Sequence, residues 1–182
     1  RTVTVVPVLD QHGSATITVT VTDGGGLEAS DSFVLTVAAP PVVYVDTDAS
    51  GANNGSSWTD AFTDLQSALT VAQTGQEIWV AAGTYKPTSD TNRAKSFQLK
   101  SSVLVYGGFN ATETLRSQRN VAANVTILSG DIGVVDNPAD NSYHVVQGAT
   151  GATLDGFTIT RGNASGTDPH NAGAGMYNVN AS

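Results

Sequence analysis

One stretch of this chain has helical spacing, and it stands alone. From Thr59 to Thr74 apolar residues recur at Phe62, Leu65, Leu69 and Ala72, with Ala61 and Ala68 beside them and a polar back of Thr63, Asp64, Gln66, Ser67, Thr70 and Gln73. Elsewhere apolar residues alternate with polar ones or come in short runs closed by Gly, Asn or Pro, which is the pattern of strands. The chain is therefore read as all-β with one attached helix. That helix is predicted over residues 60–73, with Thr59 or Asp60 as N-cap and Gly75 as C-cap.

The strand pattern divides the chain. Residues 2–8 alternate, and in residues 14–22 Ala15, Ile17, Val19 and Val21 share one face while Thr16, Thr18, Thr20 and Thr22 share the other. Asp23-Gly24-Gly25-Gly26 is a turn, and residues 29–37 put Phe33, Leu35 and Val37 on one face. Strands 14–22 and 29–37 are expected to pair antiparallel, with Ile17, Val19, Phe33 and Leu35 buried. Three strands suggest the closing part of a β-sandwich, which needs about seven; the remainder is expected upstream of Arg1 or from another chain. Ala38-Ala39-Pro40-Pro41 reads as a stiff link. This gives a closing sandwich piece at 1–38, a linker at 39–42 and a second domain at 43–182. In the latter, strands are expected at Val42–Val45, Glu77–Ala81, Ser96–Leu99, Val103–Tyr106, Val125–Leu128, Tyr143–Val146 and Phe157–Thr160. Val103 and Val105 recur about 22 residues on as Val125 and Ile127, a spacing within the range of solenoid repeats.

Composition excludes several classes. Only 13% of the 182 residues are charged, about half the usual share, which argues against a helix-rich cytosolic enzyme. The net charge is -8, with no basic cluster for nucleic acid. No apolar run is long enough to span a membrane. Cysteine is absent, so neither disulfides nor thiol chemistry enters. Arg1 opens directly on a strand pattern and is read as a trimmed end, so the lack of a leader says nothing about location.

Residues 44–85 carry a resemblance. They run through Tyr44-Val45-Asp46, the loop Asn54-Gly55-Ser56-Ser57-Trp58, the amphipathic stretch, Gly75-Gln76-Glu77-Ile78-Trp79-Val80 and Ala82-Gly83-Thr84-Tyr85. This resembles the N-terminal cap of pectin-lyase-like right-handed parallel β-helix proteins, with Gln76 where the family pattern has Asp. Val105-Tyr106-Gly107-Gly108-Phe109, Ile127-Leu128-Ser129-Gly130-Asp131-Ile132, Leu154-Asp155-Gly156-Phe157-Thr158-Ile159-Thr160 and Gly173-Ala174-Gly175-Met176-Tyr177-Asn178 resemble successive coils of such proteins. Residues 13–37 resemble the last strands of the immunoglobulin-like and cadherin-like modules that precede them. The resemblance implies a partial sandwich followed by a capped β-helix start. Physics agrees, because the open first coil of a solenoid needs a cover; Phe62, Leu65 and Leu69 are read as that cover's core face.

Candidate sites are few. Asp46, Asp48 and Asn53, with Asn54, place oxygen ligands at alternating loop positions and make calcium the one candidate cofactor. The competing and preferred reading is a solvated loop in which these side chains cap turns. Asp23 and Asp31 are a weaker interdomain calcium candidate. Asp131, Asp136, Asp140, Asp155 and Asp168, with Arg116, Arg119 and Arg161, fall into no hydrolase or lyase motif, so no catalytic residue is assigned. His12, His144 and His170 are scattered in sequence and are read as no metal site. Trp58 is expected to pack on the helix, and Trp79 to be either a groove aromatic or covered. Asn54, Asn110, Asn124, Asn163 and Asn180 fit the Asn-x-Ser/Thr pattern, which arises easily by chance here.

The functional expectation is a non-enzymatic, extracellular or cell-surface structural or adhesive protein. Its expected partners are further copies, head to tail in a filament or lattice, or a cell-surface polysaccharide, with no nucleic acid and no membrane span. The alternative is a polysaccharide lyase or glycoside hydrolase whose catalytic coils lie beyond this segment, which rests on fold analogy alone.

Overall fold

Two long strands, three short parallel sheets and one short α-helix make up most of the regular structure among the described residues. The computed structural model describes residues 4–6, 13–38 and 41–178. His12, Ala39, Pro40, Asn180 and most of the strand expected over 2–8 lie outside the described residues; residues 4–6 are not in a strand. Among the described residues 34% are in strands and 6% in helix, so the chain is mostly β, as its pattern requires. The chain divides into two compact units, Arg1–Pro40 and Pro41–Ser182.

In the first unit β1 (Gly13–Thr22) pairs antiparallel with β2 (Glu28–Val37), with Ile17 opposite Phe33 and Ala15 opposite Leu35. The alternation sorts the two faces. One carries a hydroxyl ladder, in which Ser14 Oγ and Thr36 Oγ1 lie 2.9 Å apart, Thr18 Oγ1 and Ser32 Oγ 2.8 Å, and Thr20 Oγ1 and Ser30 Oγ 2.9 Å. The other carries Ile17, Val19, Phe33 and Leu35 as expected, but it is not buried: Val19 and Phe33 are 37% and 48% exposed, and Ile17, Leu35 and Val37 are no more than half-buried. Two strands have no second layer to cover such a face. The turn is fixed by Asp23, whose Oδ1 accepts the N–H groups of Gly25 at 2.8 Å and Leu27 at 2.9 Å.

The second unit holds three parallel sheets. The first runs β3 (Val42–Val45), β4 (Glu77–Ala81), β7 (Leu104–Phe109), β10 (Thr153–Asp155); the second β5 (Gly83–Tyr85), β8 (Thr126–Ser129), β11 (Phe157–Thr160); the third β6 (Phe97–Gln98), β9 (Val146–Gln147), β12 (Met176–Tyr177). From β4 onward the chain visits the sheets in strict rotation, and every neighbouring pair is parallel. Equivalent residues therefore stack. Val43, Ile78, Val105 and Leu154 form one column, and Tyr85, Leu128 and Ile159 another. Both columns point into one core with Phe97, Val145 and Val146. All five residues of β4 are buried, because both faces of the first sheet are covered. The repeat inferred from Val103 and Val125 is not the stacking period. Val125 lies outside β8 and is 47% exposed, while Val105 stacks on Ile78 and Leu154. β9 also begins later than expected, leaving Tyr143 and His144 ahead of it.

The helix α1 is Leu65–Val71, shorter than the pattern predicted, and its N-cap is Asp64 rather than Thr59 or Asp60. Tertiary pairing overrides the periodicity upstream. Phe62 makes a parallel bridge with Val45, its N–H donates to Tyr44 O at 2.9 Å, and its carbonyl accepts from Asp46 N–H at 2.9 Å. Asp64 then accepts the Ser67 N–H at 2.7 Å and starts the helix. The C-cap is Ala72, not Gly75; Gly75 takes a positive φ of 81° in the following turn. Lys100 Nζ donates to the carbonyls of Thr70 at 2.9 Å and Ala72 at 2.8 Å, occupying orphan acceptors of the last turn. Leu65, Ala68 and Leu69 face the core, and half-buried Phe62 packs against it.

Candidate functional site

The loop from Asp46 to Thr63 is built by side chains that bind its own backbone. Asp46 Oδ1 accepts the Asp48 N–H at 3.0 Å, Asn54 Oδ1 the Ser56 N–H at 3.0 Å, and Asn53 Oδ1 the Thr63 N–H at 2.9 Å. Asp60 Oδ1 accepts from Ala52 N–H at 2.8 Å. Asn53 itself has φ 53°, a left-handed conformation that Asn tolerates better than most residues. Two of the three calcium candidates, Asp46 and Asn53, thus each commit an oxygen to a turn, and Asp48 sits exposed beside them. Among the described residues, no three His, Cys, Asp or Glu side chains are arranged to hold a metal ion.

This loop meets β5 at Tyr85. The Tyr85 hydroxyl accepts from Thr47 N–H at 3.3 Å and donates to Ala81 O at 3.1 Å. Burial pushes that hydroxyl well above the ordinary tyrosine range; the carboxylates of Asp46 and Asp48 push the same way, against the Thr47 N–H. It stays a proton donor. Outside it lies an open depression of about 550 Å³ lined by Thr47, Thr63, Asp64, Thr84, Lys86 and Thr88 among others. Asp64, its one carboxylate, is engaged by the Ser67 N–H and Oγ–H, each at 2.7 Å. What remains is a hydroxyl-rich surface with one ammonium group.

On the outer face of the first sheet the aromatics gather. Trp79 is 4% exposed, which settles it as covered. Its ring stacks on Phe109 at 4.8 Å, and Trp58 lies 4.8 Å from Tyr44 and 5.6 Å from Phe109. Trp58 therefore packs on this sheet face and not on α1, and its Nε1–H donates to Glu113 O at 2.9 Å. Glu77 is nearly buried there. It accepts from Trp79 Nε1 at 2.6 Å and pairs with Arg116 Nη1 at 2.6 Å. Most of the remaining Asp and Arg residues singled out from the sequence make fastenings as well: Arg119 binds Asp155 in β10, and Arg161 binds Asp136 and, at 3.3 Å, Asp131. Asp168 is exposed in a turn, and Asp140 Oδ2 accepts the Val134 N–H at 2.9 Å. Asp31 binds its neighbour's N–H and Asp23 its own turn. Of the Asn-x-Ser/Thr positions, Asn124 donates its amide to Gly108 O and Asn163 to Pro138 O.

The sequence reading missed one juxtaposition. His144 and His170 are brought together, with His144 Nε2 and His170 Nδ1 3.1 Å apart. His144 Nδ1 lies 3.1 Å from Gly173 O. The Tyr177 ring stacks on His144 and the Tyr143 ring on His170, each at 4.5 Å. No local spacing signals this pairing, because it is made by the return of the chain to the third sheet.

Comparison of the chain with protein-family models, curated proteins and solved structures finds no match. Among the described residues no helix is long and apolar enough to cross a membrane.

Proposed function

We propose that this protein is a non-enzymatic structural or adhesive protein of the cell surface or extracellular space. In this reading residues 43–182 are the capped first turns of a pectin-lyase-like right-handed parallel β-helix, and the β1–β2 hairpin is the closing part of an immunoglobulin-like or cadherin-like module. Strict rotation of the chain through three parallel sheets, with α1 packed against β3, β4 and β6, supports the β-helix reading. The observation that carries the functional reading is the fate of the charged groups. Glu77, Asp131, Asp136 and Asp155 are tied to Arg116, Arg161 and Arg119, and Asp60, Asp64 and Glu113 to neighbouring backbone N–H groups. A hydrolase or lyase needs carboxylates or a base held free to act on substrate. The hydroxyl-rich depression beside Tyr85 suits weak contact with a polysaccharide, and the apolar face of the hairpin suits association with further strands or copies.

The test is incubation with pectate and alginate, with and without calcium, followed by ultraviolet absorbance for unsaturated products and by reducing-end analysis. No product is expected, together with retention of the protein on insoluble polysaccharide or concentration-dependent sedimentation. Steady product release would replace this reading with the lyase or hydrolase alternative.

A further inference from the structure

We propose that His144 and His170 form a two-imidazole site for a divalent transition-metal ion of the zinc, nickel and copper class, and that the bound ion ties segment 166–177 to the chain just ahead of β9.

The two rings present nitrogens to one another. His144 Nδ1 lies 3.1 Å from Gly173 O, and a carbonyl can only accept, so Nδ1 carries the proton and Nε2 keeps its lone pair. A backbone carbonyl on the far nitrogen is the usual orienting partner of a metal-binding histidine. The lone pair on Nε2 faces His170 Nδ1 at 3.1 Å. Two nitrogens each about 2.0–2.1 Å from a tetrahedral zinc ion lie about 3.3 Å apart, so the pair has to open by only roughly 0.2 Å. In the metal-free pair His170 donates from Nδ1 to His144 Nε2. With the ion in place that proton sits on His170 Nε2, and both facing lone pairs bind the ion.

The surroundings hold the rings by their faces. Tyr177 stacks on His144 at 4.5 Å and 20°, and Tyr143 on His170 at 4.5 Å and 18°. Coordination takes place in the ring plane, at the nitrogen, which stacking does not cover. His144 is 6% exposed and His170 is half-buried, so an ion reaches the pair from the side of His170. Arg93 lies over Tyr143, but its guanidinium is directed to Asn141 O, Asn163 O and Ser165 Oγ. Imidazole nitrogens suit zinc, nickel and copper, whereas calcium takes oxygen. Among the described residues no third His, Cys, Asp or Glu joins the pair, so the other positions on the ion fall to water. An ion held by two side chains is exchangeable, unlike the four-ligand zinc of a closed structural site.

The place of the pair gives the ion its consequence. It links positions 26 residues apart, beside the bonds that close the last rung. Val145 N–H donates to Ala174 O at 3.1 Å, Val146 N–H to Gly175 O at 3.1 Å and Gly148 N–H to Tyr177 O at 3.0 Å. Opening these bonds draws His170 away from His144, so an ion on both holds the rung shut.

The experiment is titration of the full chain, carrying no added histidine tag, with zinc chloride at pH 7.5, followed by calorimetry and by NMR of the imidazoles. One ion per chain is expected, with the signals of His144 and His170 moving together and X-ray absorption giving two imidazole nitrogens at about 2.0–2.1 Å. His170→Gln, whose amide can still bond His144 Nε2, should weaken binding about tenfold or more. His12→Gln, which removes the one other histidine, should not. Calcium chloride at the same concentration should move neither imidazole. With free zinc at about a hundred times its Kd, amide exchange at Val145, Val146 and Gly148 should slow about a hundredfold. Unmoved imidazoles, binding unchanged in His170→Gln, binding lost in His12→Gln or an equal response to calcium would each overturn the site; binding with unchanged exchange would overturn the tie.

Discussion

Removing the Arg116 guanidinium tests how the first sheet tolerates a buried charge. Glu77 opens β4 with its side chain 10% exposed, and Arg116, at 32%, reaches it from outside with an Nη1–Oε1 distance of 2.6 Å. In Arg116→Ala the carboxylate keeps one donor, Trp79 Nε1 at 2.6 Å, and loses its counter-charge. Breaking a fully buried pair costs about 3–5 kcal/mol, because the partner is left uncompensated. Arg116 is a third exposed, so water can re-enter, and the lower part of that range is the better guide. Its position 4.5 Å over the Tyr106 ring adds about 0.5 kcal/mol. A net loss of about 2–4 kcal/mol follows, or a fall in Tm of roughly 5–15 °C for a unit of this size. The informative variant is the double one. Glu77→Gln keeps an acceptor for Trp79 and removes the charge, so Glu77→Gln with Arg116→Ala should recover at least half of the loss. Urea unfolding followed by tryptophan fluorescence measures all three, since Trp79 sits against the pair. A cost below about 0.5 kcal/mol for Arg116→Ala, or a double variant no more stable than the single, would refute the account.

Leu65→Ala removes a fully buried side chain from the first turn of α1 and should cost about 2–5 kcal/mol in the same assay, with Leu65→Asp costing more; melting like the parent would mean that α1 does not cover the core. At the hairpin turn, the N–H groups of Leu27 and Gly25 hold the Asp23 carboxyl below its ordinary range, so this support is complete above about pH 4 and fades as the pH falls through the lowered value. NMR of residues 13–37 during acidification should therefore show the turn loosening in that window, and Asp23→Ala should abolish the transition. In dilute full-length protein the amides of β1 and β2 should exchange faster than those of β7 and β8, with protection rising as concentration rises; strong protection independent of concentration would show that the apolar face needs no partner.

What could be read from the sequence follows the range of each interaction. The β1–β2 hairpin was legible in its antiparallel pairing and in its faces because alternation and a Gly-rich turn are local signals, but its register and the exposure of its apolar face were not. The helix was legible in existence but not in length: Phe62 fits the helical stripe, yet it hydrogen-bonds to Tyr44, and that bond is set by the return of the chain to β3. Short strands such as β5 and β10 were missed because three residues carry no period; the neighbouring rung defines them. The calcium candidates were selected for oxygen atoms, and spacing could not tell that Asn53 would serve the Thr63 N–H. Trp79 was ambiguous because the residues that cover it, Trp58 and Phe109, lie in distant loops and strands.

The same logic explains how so few charges suffice. The second unit contains four arginines, Arg93, Arg116, Arg119 and Arg161, and each joins parts of the chain far apart in sequence. Arg116 joins the loop after β7 to β4 through Glu77, and Arg119 joins it to β7 and β10 through Gly107 O and Asp155. Arg161 joins the end of β11 to the loop after β8 through Asp131 and Asp136. Arg93 donates from Nε to Asn141 O at 2.7 Å and from Nη2 to Asn163 O and Ser165 Oγ, each at 3.0 Å, gathering three successive passes of the chain. A guanidinium suits this work because its planar fork reaches carbonyls and carboxylates at once and keeps its charge at any working pH. Stacked parallel sheets hold adjacent rungs by backbone bonds but leave the connecting loops unfastened. In a chain without cysteine these four side chains fasten them. Glu77, Asp131, Asp136 and Asp155 are accordingly spent on arginines, and Asp60, Asp64 and Glu113 on backbone amides, while Asp48 and Asp168 stay exposed.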